Sequence, residues 1–344
     1  MTERVAIVAS LSANGEQGGA ERFFLGLRNA LADEGLNAEI VEVYNNESNF
    51  EQIKKSYLRF YDLDLARYDG IISAKAPSFV VRHRNHVCYL MHTIRVFYDM
   101  FDSTFPHPPR EILEQRSLIH ALDTAALRRP RRLFAIGDEV AGRLLRYNGL
   151  HASMMRHPSS LGGLRGGDFK YFFLPGRLHR WKRPQLAIAA MSLIKSDREL
   201  VIAGTGEDEA RFRELAAGDQ RVRFVGHVSD EALAKLYADA LAVIFVPQGE
   251  DLGLVTLEAF QSGKPVITCT DSGEPARIVV DGRNGFVCRP ESAALAAAME
   301  HIARTPDLAR QMGQAGEAFI TGLTWAKVAA SLRDALGFRD MAAQ

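Results

Sequence analysis

The sequence lacks an excess of either charge, is poor in cysteine and has no long hydrophobic run. Its 344 residues hold 42 Lys and Arg against 42 Asp and Glu, which argues against a dedicated nucleic-acid-binding protein. Cys88, Cys269 and Cys288 are far apart and without metal-ligand spacing, so we expect buried thiols in a reducing compartment. No segment reaches the ~18 uninterrupted apolar residues of a membrane span. We therefore expect a cytoplasmic protein, free or peripheral at the inner face of the membrane.

The length of the chain and the order of its segments predict two α/β domains. An apolar β-branched strand at residues 5–11 is followed by a glycine loop, an amphipathic helix at 20–34 and a second strand at 38–43. This order opens a doubly wound parallel sheet. The same alternation resumes at residue 171, after a stretch rich in small residues and without periodicity.

Four segments follow from this pattern. We predict Rossmann-like domains at residues 1–160 and 171–322, a Gly-rich hinge at 161–170, and a C-terminal helix at 323–344 that packs back on the first domain.

Two glutamates follow the predicted strand that ends at Val246. Glu250 lies in a loop, and we predict a helix that starts near Leu252 and carries Glu258 about two turns in. The two carboxylates would then lie near the same side of one element, within reach of a ligand rich in hydroxyl and phosphate oxygens. Two glutamates alone are more often an acidic N-cap and a solvated side chain, so the case for a ligand site depends on the neighbouring loops.

Basic side chains occur where the first strand of the second domain gives way to its helix. Arg177 offers a planar guanidinium and Lys182 a mobile point charge, a pair suited to a diphosphate. We expect the equally basic Arg180 and Arg183 to be solvated. Such sheets bind ligands at the carboxyl ends of their strands, so this loop adds weight to the glutamates.

Glycines mark two further strand ends. Gly204 and Gly206 follow the next strand of the second domain, and Gly18 and Gly19 follow the first strand of the chain, where glycine permits close approach of a phosphate or sugar. His92 follows another strand and projects from the same edge, although a lone histidine is as often structural.

Together these residues resemble those of retaining glycosyltransferase family 4, in particular its mannosyltransferase-like members, and the resemblance extends over nearly the whole chain. It implies the GT-B fold, two Rossmann-like domains facing each other across a cleft, with the acceptor bound by the first domain and the nucleotide sugar by the second. The motifs that carry it are Gly176-Arg177 with Lys182-Arg183-Pro184, residues 225–233, Glu250 to Glu258 with Gly263-Lys264-Pro265-Val266, residues 281–286, Gly18-Gly19-Ala20-Glu21 and residues 89–93.

The resemblance also implies a role for each matched residue. His92 and Glu250 contact the donor sugar as the catalytic residues. The donor-binding residues are Arg177 and Lys182 on the diphosphate, Glu258 on the ribose and Val228 at the nucleobase. Asp251, Leu252, Gly253 and Leu254 lie along the sugar and phosphate, and Gly18 and Gly19 lie at the phosphates. The strand-end glycines Gly204 and Gly206 complete the donor-binding set.

Fixed cations and backbone amides can neutralise a departing nucleoside diphosphate, so we expect no metal and no cofactor. Closure about the hinge would exclude water. The expected donor is GDP-mannose or a UDP-hexose, and the expected acceptor is a glycan or lipid-linked saccharide in bacterial surface polysaccharide or lipopolysaccharide synthesis. Basic runs at residues 82–84 and 128–132 are either solvated or contact anionic lipid. We expect no nucleic-acid partner.

One loop departs from the family pattern. Many relatives carry two glycines and then a glutamate in the loop after the strand at residues 265–269. Here that loop, residues 271–277, has a bulky Glu274 and a cationic Arg277, which puts a backbone contact there in doubt. Three alternatives remain: a non-catalytic nucleotide-sugar-binding subunit, a sugar-nucleotide epimerase, which leaves the two glutamates unexplained, and a dinucleotide oxidoreductase, which would need a Gly-x-Gly-x-x-Gly motif that this sequence does not supply.

Overall fold

The computed structural model describes residues 2–12 and 19–338 and divides the chain into two compact units. The first unit is Met1–His157 with Leu323–Gln344, and the second is Pro158–Gly322. The strands are β1 Arg4–Ser12, β2 Asn37–Asn45, β3 Gly70–Lys75, β4 His86–His92, β5 Arg132–Ala135 and β6 Ser153–Met154 in the first unit, and β7 Tyr171–Pro175, β8 Leu200–Ala203, β9 Val222–Gly226, β10 Ala240–Ile244, β11 Val266–Cys269 and β12 Gly285–Cys288 in the second.

The helices cover both faces of the sheets. They are α1 Gly19–Asp33, α2 Phe50–Tyr61, α3 Phe101–Thr104, α4 Arg110–Leu127, α5 Asp138–Asn148, α6 Pro184–Met191, α7 Glu209–Ala216, α8 Asp230–Ala238, α9 Leu254–Gln261, α10 Glu274–Ile278, α11 Ser292–Arg304, α12 Pro306–Ile320 and α13 Trp325–Leu336. In the part of the chain that the structure describes, no helix is both long and apolar enough to cross a membrane.

Each unit contains one six-stranded sheet in which every pairing is parallel. The strand order is β2-β1-β3-β4-β5-β6 in the first unit and β12-β11-β10-β7-β8-β9 in the second. In the second sheet the order reverses between β7 and β10, which are neighbours although β8 and β9 lie between them in sequence. This reversal is the switch point at which such sheets bind ligands. The prediction of two doubly wound α/β domains is confirmed.

The predicted hinge, residues 161–170, lies within the second unit, because the unit boundary falls earlier, between His157 and Pro158. Lys264 anchors the segment: its ammonium group donates to the Asp168 carbonyl at 2.6 Å and lies 3.6 Å from the centre of the Phe169 ring. Burial lowers the pKa of Lys264 to about 8. A buried cation with carbonyl and aromatic partners holds this segment against the second sheet.

The C-terminal helix α13 belongs to the first unit and packs on α1. Trp325 stacks on the His157 ring with centroids 5.1 Å apart, and the Arg333 guanidinium donates to the Glu34 carboxylate at 2.5 Å. The chain therefore leaves the first unit after His157 and returns to it at the end.

Backbone packing explains the two glycines of the loop after β8, Gly204 and Gly206. A Cβ on Gly204 would lie 2.0 Å from the Gly176 carbonyl oxygen, and one on Gly206 would lie 2.3 Å from that of Leu178. The two loops are also hydrogen-bonded, since the Leu178 amide donates to the Thr205 carbonyl at 2.9 Å. The close approach of the loop after β7 is thus a sufficient reason for these glycines, and their contact with the donor stays a prediction.

A buried carboxyl group lies inside the first unit on α4. Asp123 is fully buried, and its two oxygens accept hydrogen bonds from the Tyr57 and Tyr98 hydroxyls at 2.6 and 2.7 Å. Burial raises the pKa of Asp123 to about 7, and the two hydroxyl donors lower it by a smaller amount. The folded protein therefore keeps this proton well above the pH at which an exposed carboxyl group loses it.

We predict that Asp123 makes the first unit less stable as the pH rises from about 4 to about 7, because the unfolded chain releases this proton earlier than the folded one. The free energy of unfolding of Asp123→Asn minus that of the wild type should therefore increase over this window and level off above it. Urea unfolding at constant ionic strength measures the difference, and groups such as His86 that titrate in both proteins cancel. A difference that does not change with pH would contradict the raised pKa.

The close packing of the loop after β8 predicts that Gly206→Ala destabilises the second unit by about 1–3 kcal/mol, the usual penalty for overpacking. Gly218→Ala is the matched control, because a Cβ there would meet nothing within 4 Å. Urea unfolding of both variants gives the comparison. If Gly206→Ala is as stable as Gly218→Ala, the packing explanation is wrong and close approach of a ligand becomes the better one.

Candidate functional site

The structure brings Lys182 and Glu250 together at the switch point of the second sheet. Lys182 ends a short 3-10 turn, Arg180–Lys182, after β7, and Glu250 lies in the loop after β10. The Lys182 ammonium donates to the Glu250 carboxylate at 2.5 Å, and the two side chains are 30% and 23% exposed. An ion pair that keeps this much contact with solvent can exchange its partners for those of an anionic or hydroxylated ligand.

Local hydrogen bonds hold the turn that carries Lys182. The His179 ring accepts from the Trp181 amide at 3.2 Å, and the Gln248 amide from the β10 loop donates to the Trp181 carbonyl at 2.8 Å. Arg177, at the start of this loop, is exposed at the same edge of the sheet. The loop after β7 thus carries both Arg177 and Lys182 at this edge of the sheet, and their binding of a diphosphate stays a prediction.

The loop that carries Glu250 is hydrogen-bonded to the loop after β11. The Glu250 amide donates to the Ser272 carbonyl and the Glu274 amide donates to the Glu250 carbonyl, both at 2.9 Å. Gly273 is required here, because its φ is 74° and a Cβ would lie 2.5 Å from the Glu250 carbonyl oxygen. Glu274, in the loop that departs from the family pattern, is fully buried, and its backbone amide already donates to a protein carbonyl.

The helix after this loop begins later than we predicted. α9 starts at Leu254, preceded by Gly253 in the left-handed conformation, where a Cβ would lie 2.6 Å from the Pro275 ring. Glu250 is therefore outside the helix, Glu258 is about one turn in, and they do not share one face of one element. Asp251 is half-buried and Leu252 is buried in the intervening turn.

Glu258 points into the second unit. The side chain is 6% exposed, and its two carboxylate oxygens accept from the Ser159 hydroxyl at 2.8 Å and the Tyr237 hydroxyl at 2.7 Å. The structure thus gives Glu258 protein partners that the sequence did not suggest. Each carboxylate oxygen can accept a second hydrogen bond, so a role toward a ribose stays a prediction.

Arg183 is the residue that sequence reasoning missed. We expected it to be solvated, but its side chain is only 12% exposed and pairs with both carboxylate oxygens of Asp271 at 2.7 Å. Its backbone is left-handed, with a φ of 52°. No local signal predicted this pairing: a residue before proline favours extended backbone, and Asp271 is 88 residues away in sequence.

Two other predicted contacts lie at strand ends. Val228 is half-buried in the loop between β9 and α8, next to the loop of Gly204, whose amide donates to the Gly226 carbonyl at 2.7 Å. His92 ends β4 in the first unit, half-buried, with Nδ1 2.9 Å from the Thr93 carbonyl oxygen. Both lie at carboxyl edges, as predicted.

Gly18 lies outside the described residues, and Gly19 is the first residue of α1. Among residues 2–12 and 19–338, no group of three or more His, Cys, Asp or Glu is placed to hold a metal ion.

The two basic runs immediately precede β4 and β5, so they lie at the amino edge of the first sheet. Arg84, Arg128 and Arg132 are exposed there. His92 lies at the opposite end of β4, so this patch and the predicted catalytic histidine are at opposite edges of one sheet. Contact of the patch with an anionic membrane stays a prediction.

Comparison with known proteins points to one family. Residues 163–319 match the family model described as Glycosyl transferases group 1. Over 174 residues the chain is 29% identical to the alpha-1,3/1,6-mannosyltransferase ALG2 of Dictyostelium discoideum, an alignment that covers 44% of this chain and 41% of that protein. The chain thus spans less than half the length of this curated relative.

Solved structures share the fold of the whole chain at low identity. The sucrose-phosphate synthase of Thermosynechococcus elongatus superposes with a TM-score of 0.78 at 18% identity, covering 96% of this chain and 98% of that one. The Anabaena protein HepE in complex with UDP and glucose superposes with a TM-score of 0.73 at 16% identity, covering 97% and 99%. The chain has the GT-B fold, and the family model of the group 1 glycosyl transferases matches residues 163–319, nearly all of its second unit.

Proposed function

We propose that the protein transfers a hexose from a nucleoside-diphosphate sugar to a saccharide or lipid-linked acceptor, with retention of configuration at the anomeric carbon. The observation that carries this proposal is the Lys182–Glu250 ion pair at the switch point of a group 1 glycosyl transferase domain. Phosphate oxygens suit the cation, and sugar hydroxyls suit the carboxylate. One pair of side chains therefore provides for both halves of the donor.

Binding of the donor exchanges the partners of this pair. The diphosphate takes the Lys182 ammonium and the exposed Arg177 guanidinium, and Glu250, released from Lys182, accepts hydrogen bonds from the donor sugar. The pair is only partly exposed, so the charges remain effective at the distance of a bound phosphate. Glu258, held by the hydroxyls of Ser159 and Tyr237, accepts a hydrogen bond from the ribose.

In the proposed reaction the acceptor hydroxyl attacks the anomeric carbon from the side of the leaving group. The bond from that carbon to the acceptor oxygen forms, the bond to the diphosphate oxygen breaks, and the proton of the acceptor passes to the departing diphosphate. Lys182 and Arg177 stabilise the charge that develops on the diphosphate, which we propose makes a metal ion unnecessary. His92 contacts the donor sugar near the reacting carbon and supports turnover.

For the donor we propose GDP-mannose or a UDP-hexose. The name of the Dictyostelium relative, a mannosyltransferase, supports the first, and the UDP and glucose in the Anabaena complex support the second. For the acceptor we propose a glycan or lipid-linked saccharide of bacterial surface polysaccharide or lipopolysaccharide synthesis, on the resemblance in sequence. A non-catalytic nucleotide-sugar-binding subunit would keep the same ion pair, and only turnover separates it from an enzyme.

The exchange of partners predicts opposite effects for the two members of the pair. Lys182→Ala should weaken the affinity for the nucleoside diphosphate about 10- to 100-fold, the value of a charge-assisted hydrogen bond. Glu250→Gln should tighten that affinity about two- to fivefold, because it removes a competitor for Lys182, while it lowers the rate of sugar transfer. Calorimetric titration follows a thermal-shift panel of UDP, GDP, ADP, TDP and NAD with and without magnesium.

Lys195→Ala is the matched control, because Lys195 is an exposed lysine of the same unit and its substitution removes the same charge. The exchange is contradicted if Lys182→Ala and Lys195→Ala bind the diphosphate equally well. A shift with NAD alone would favour an oxidoreductase.

The proposed function also makes a prediction about turnover. With the donor that the panel identifies, we expect transfer to continue in EDTA and the product to keep the anomeric configuration of the donor, as read by the proton coupling constant of the new linkage. His92→Ala should lower kcat with little change in donor affinity. Inverted product would exclude the retaining mechanism, abolition by EDTA would exclude metal independence, and binding without any turnover would favour the non-catalytic subunit.

A further inference from the structure

Arg183 has an unusual backbone for a residue with a side chain. Its φ and ψ are 52° and 46°, and within residues 2–12 and 19–338 it is the sole non-glycine residue with a positive φ. The left-handed region is sterically unfavourable for residues with a Cβ, and such conformations persist where the surrounding structure imposes them. The contacts of the Arg183 side chain show which interactions impose its left-handed backbone.

The guanidinium of Arg183 joins the loops that follow three different strands. Arg183 itself lies in the loop after β7. Its Nε and Nη2 donate to the carbonyls of Val246 and Pro247 after β10 at 2.7 and 2.8 Å, and its Nη1 and Nη2 donate to both carboxylate oxygens of Asp271 after β11 at 2.7 Å. A planar fork of donors matches these acceptors, whereas a lysine ammonium, as a point charge, does not.

The same contacts lead to both members of the ion pair. Lys182 is the residue before Arg183 and is fixed by the same turn. On the other side, Asp271 is anchored by the guanidinium and its carbonyl accepts from the Gly249 amide at 2.9 Å, which fixes the residue before Glu250. The guanidinium thus sets where the two partners stand relative to each other.

We propose that Arg183 is the positioning residue of the donor site: it holds the loop of Lys182 at a fixed distance from the loop of Glu250. This inference rests on the proposed function for its effect on sugar transfer, in which a diphosphate on Lys182 and a sugar on Glu250 must be held in one geometry. Misplacement by about 1 Å can lower a rate by ~100-fold. Arg183 touches no reacting atom itself and acts through its two neighbours.

The first experiment measures hydrogen exchange in Arg183→Gly, chosen because glycine adopts the left-handed conformation without strain and so keeps the fold. The amides of Gly249 and Glu250 should exchange ~10-fold faster or more, while amides of β7 and β8 keep their protection. Arg180→Ala is the control, since it removes the same charge from the same turn. Unchanged exchange at residues 249 and 250 would overturn the inference whatever the activity of the protein.

The second experiment separates positioning from general stabilisation. Arg183→Gly should lower kcat/KM for the intact donor by ~10- to 100-fold while the affinity for the nucleoside diphosphate alone, which needs Lys182 but no fixed Glu250, changes by less than about threefold. Arg183→Lys should recover little of the loss. An equal loss in both quantities, or full recovery by lysine, would contradict positioning.

A double-mutant cycle on diphosphate affinity gives a readout that does not require turnover. Glu250→Gln should change this affinity less in the Arg183→Gly background than in the wild type, because the ion pair is already loosened; additive effects would show that Arg183 does not act through Glu250. If the wild type transfers no sugar, the proposed function fails, while the exchange experiment and this cycle still decide the role of Arg183.

Discussion

The direct pairing of β7 with β10 is the constraint on which the rest of the second unit depends. Phe172 and Phe173 pair in parallel with Ala242 and Val243, although two complete strand–helix repeats separate them in sequence. Parallel strands end at the same edge, so the loops after β7 and β10 leave the sheet side by side. Without this adjacency Lys182 and Glu250 would belong to unrelated parts of the surface. With it, a cation and a carboxylate meet above the point where the strand order reverses.

Backbone contacts then fix the loops that leave this edge. The loop of Gly204 lies against the loop after β7, and Gly273 lies against Glu250, each so close that a Cβ would overlap the facing carbonyl. Gly253 packs against the Pro275 ring in the same way and sets the start of α9. The loops after β7 and β8 therefore support each other, and so do the loops after β10 and β11. The loops that carry Lys182 and Glu250 are thus each held against a neighbouring loop, which is what preorganised binding of a charged ligand needs.

The sequence alone predicted the features that depend on local pattern. Apolar β-branched runs located β1, β7, β8, β10 and β11, and loops rich in glycine and basic residues marked their carboxyl ends. It did not reveal partners that are distant in sequence: Gly206 packs against the Leu178 carbonyl, Glu258 accepts from the Tyr237 hydroxyl, and Arg183 pairs with Asp271. The helix α2 went unidentified although Ile53, Tyr57 and Phe60 have helical spacing behind the N-cap Asn49. The strand β12 has only four residues, too few for a clear pattern.

The ion pair also bears on how a transferase of this kind would release its product. On the proposed function, the intact donor occupies both partners, the diphosphate on Lys182 and the sugar on Glu250. Once the sugar has left, Glu250 has no hydroxyls to accept from, and its carboxylate again competes with the diphosphate for the ammonium at 2.5 Å. The competition weakens the hold on the spent nucleotide and leaves the hold on the donor intact, so the same two charges favour substrate over product. If Arg183 positions the two loops as we propose, it also sets how strong that competition is.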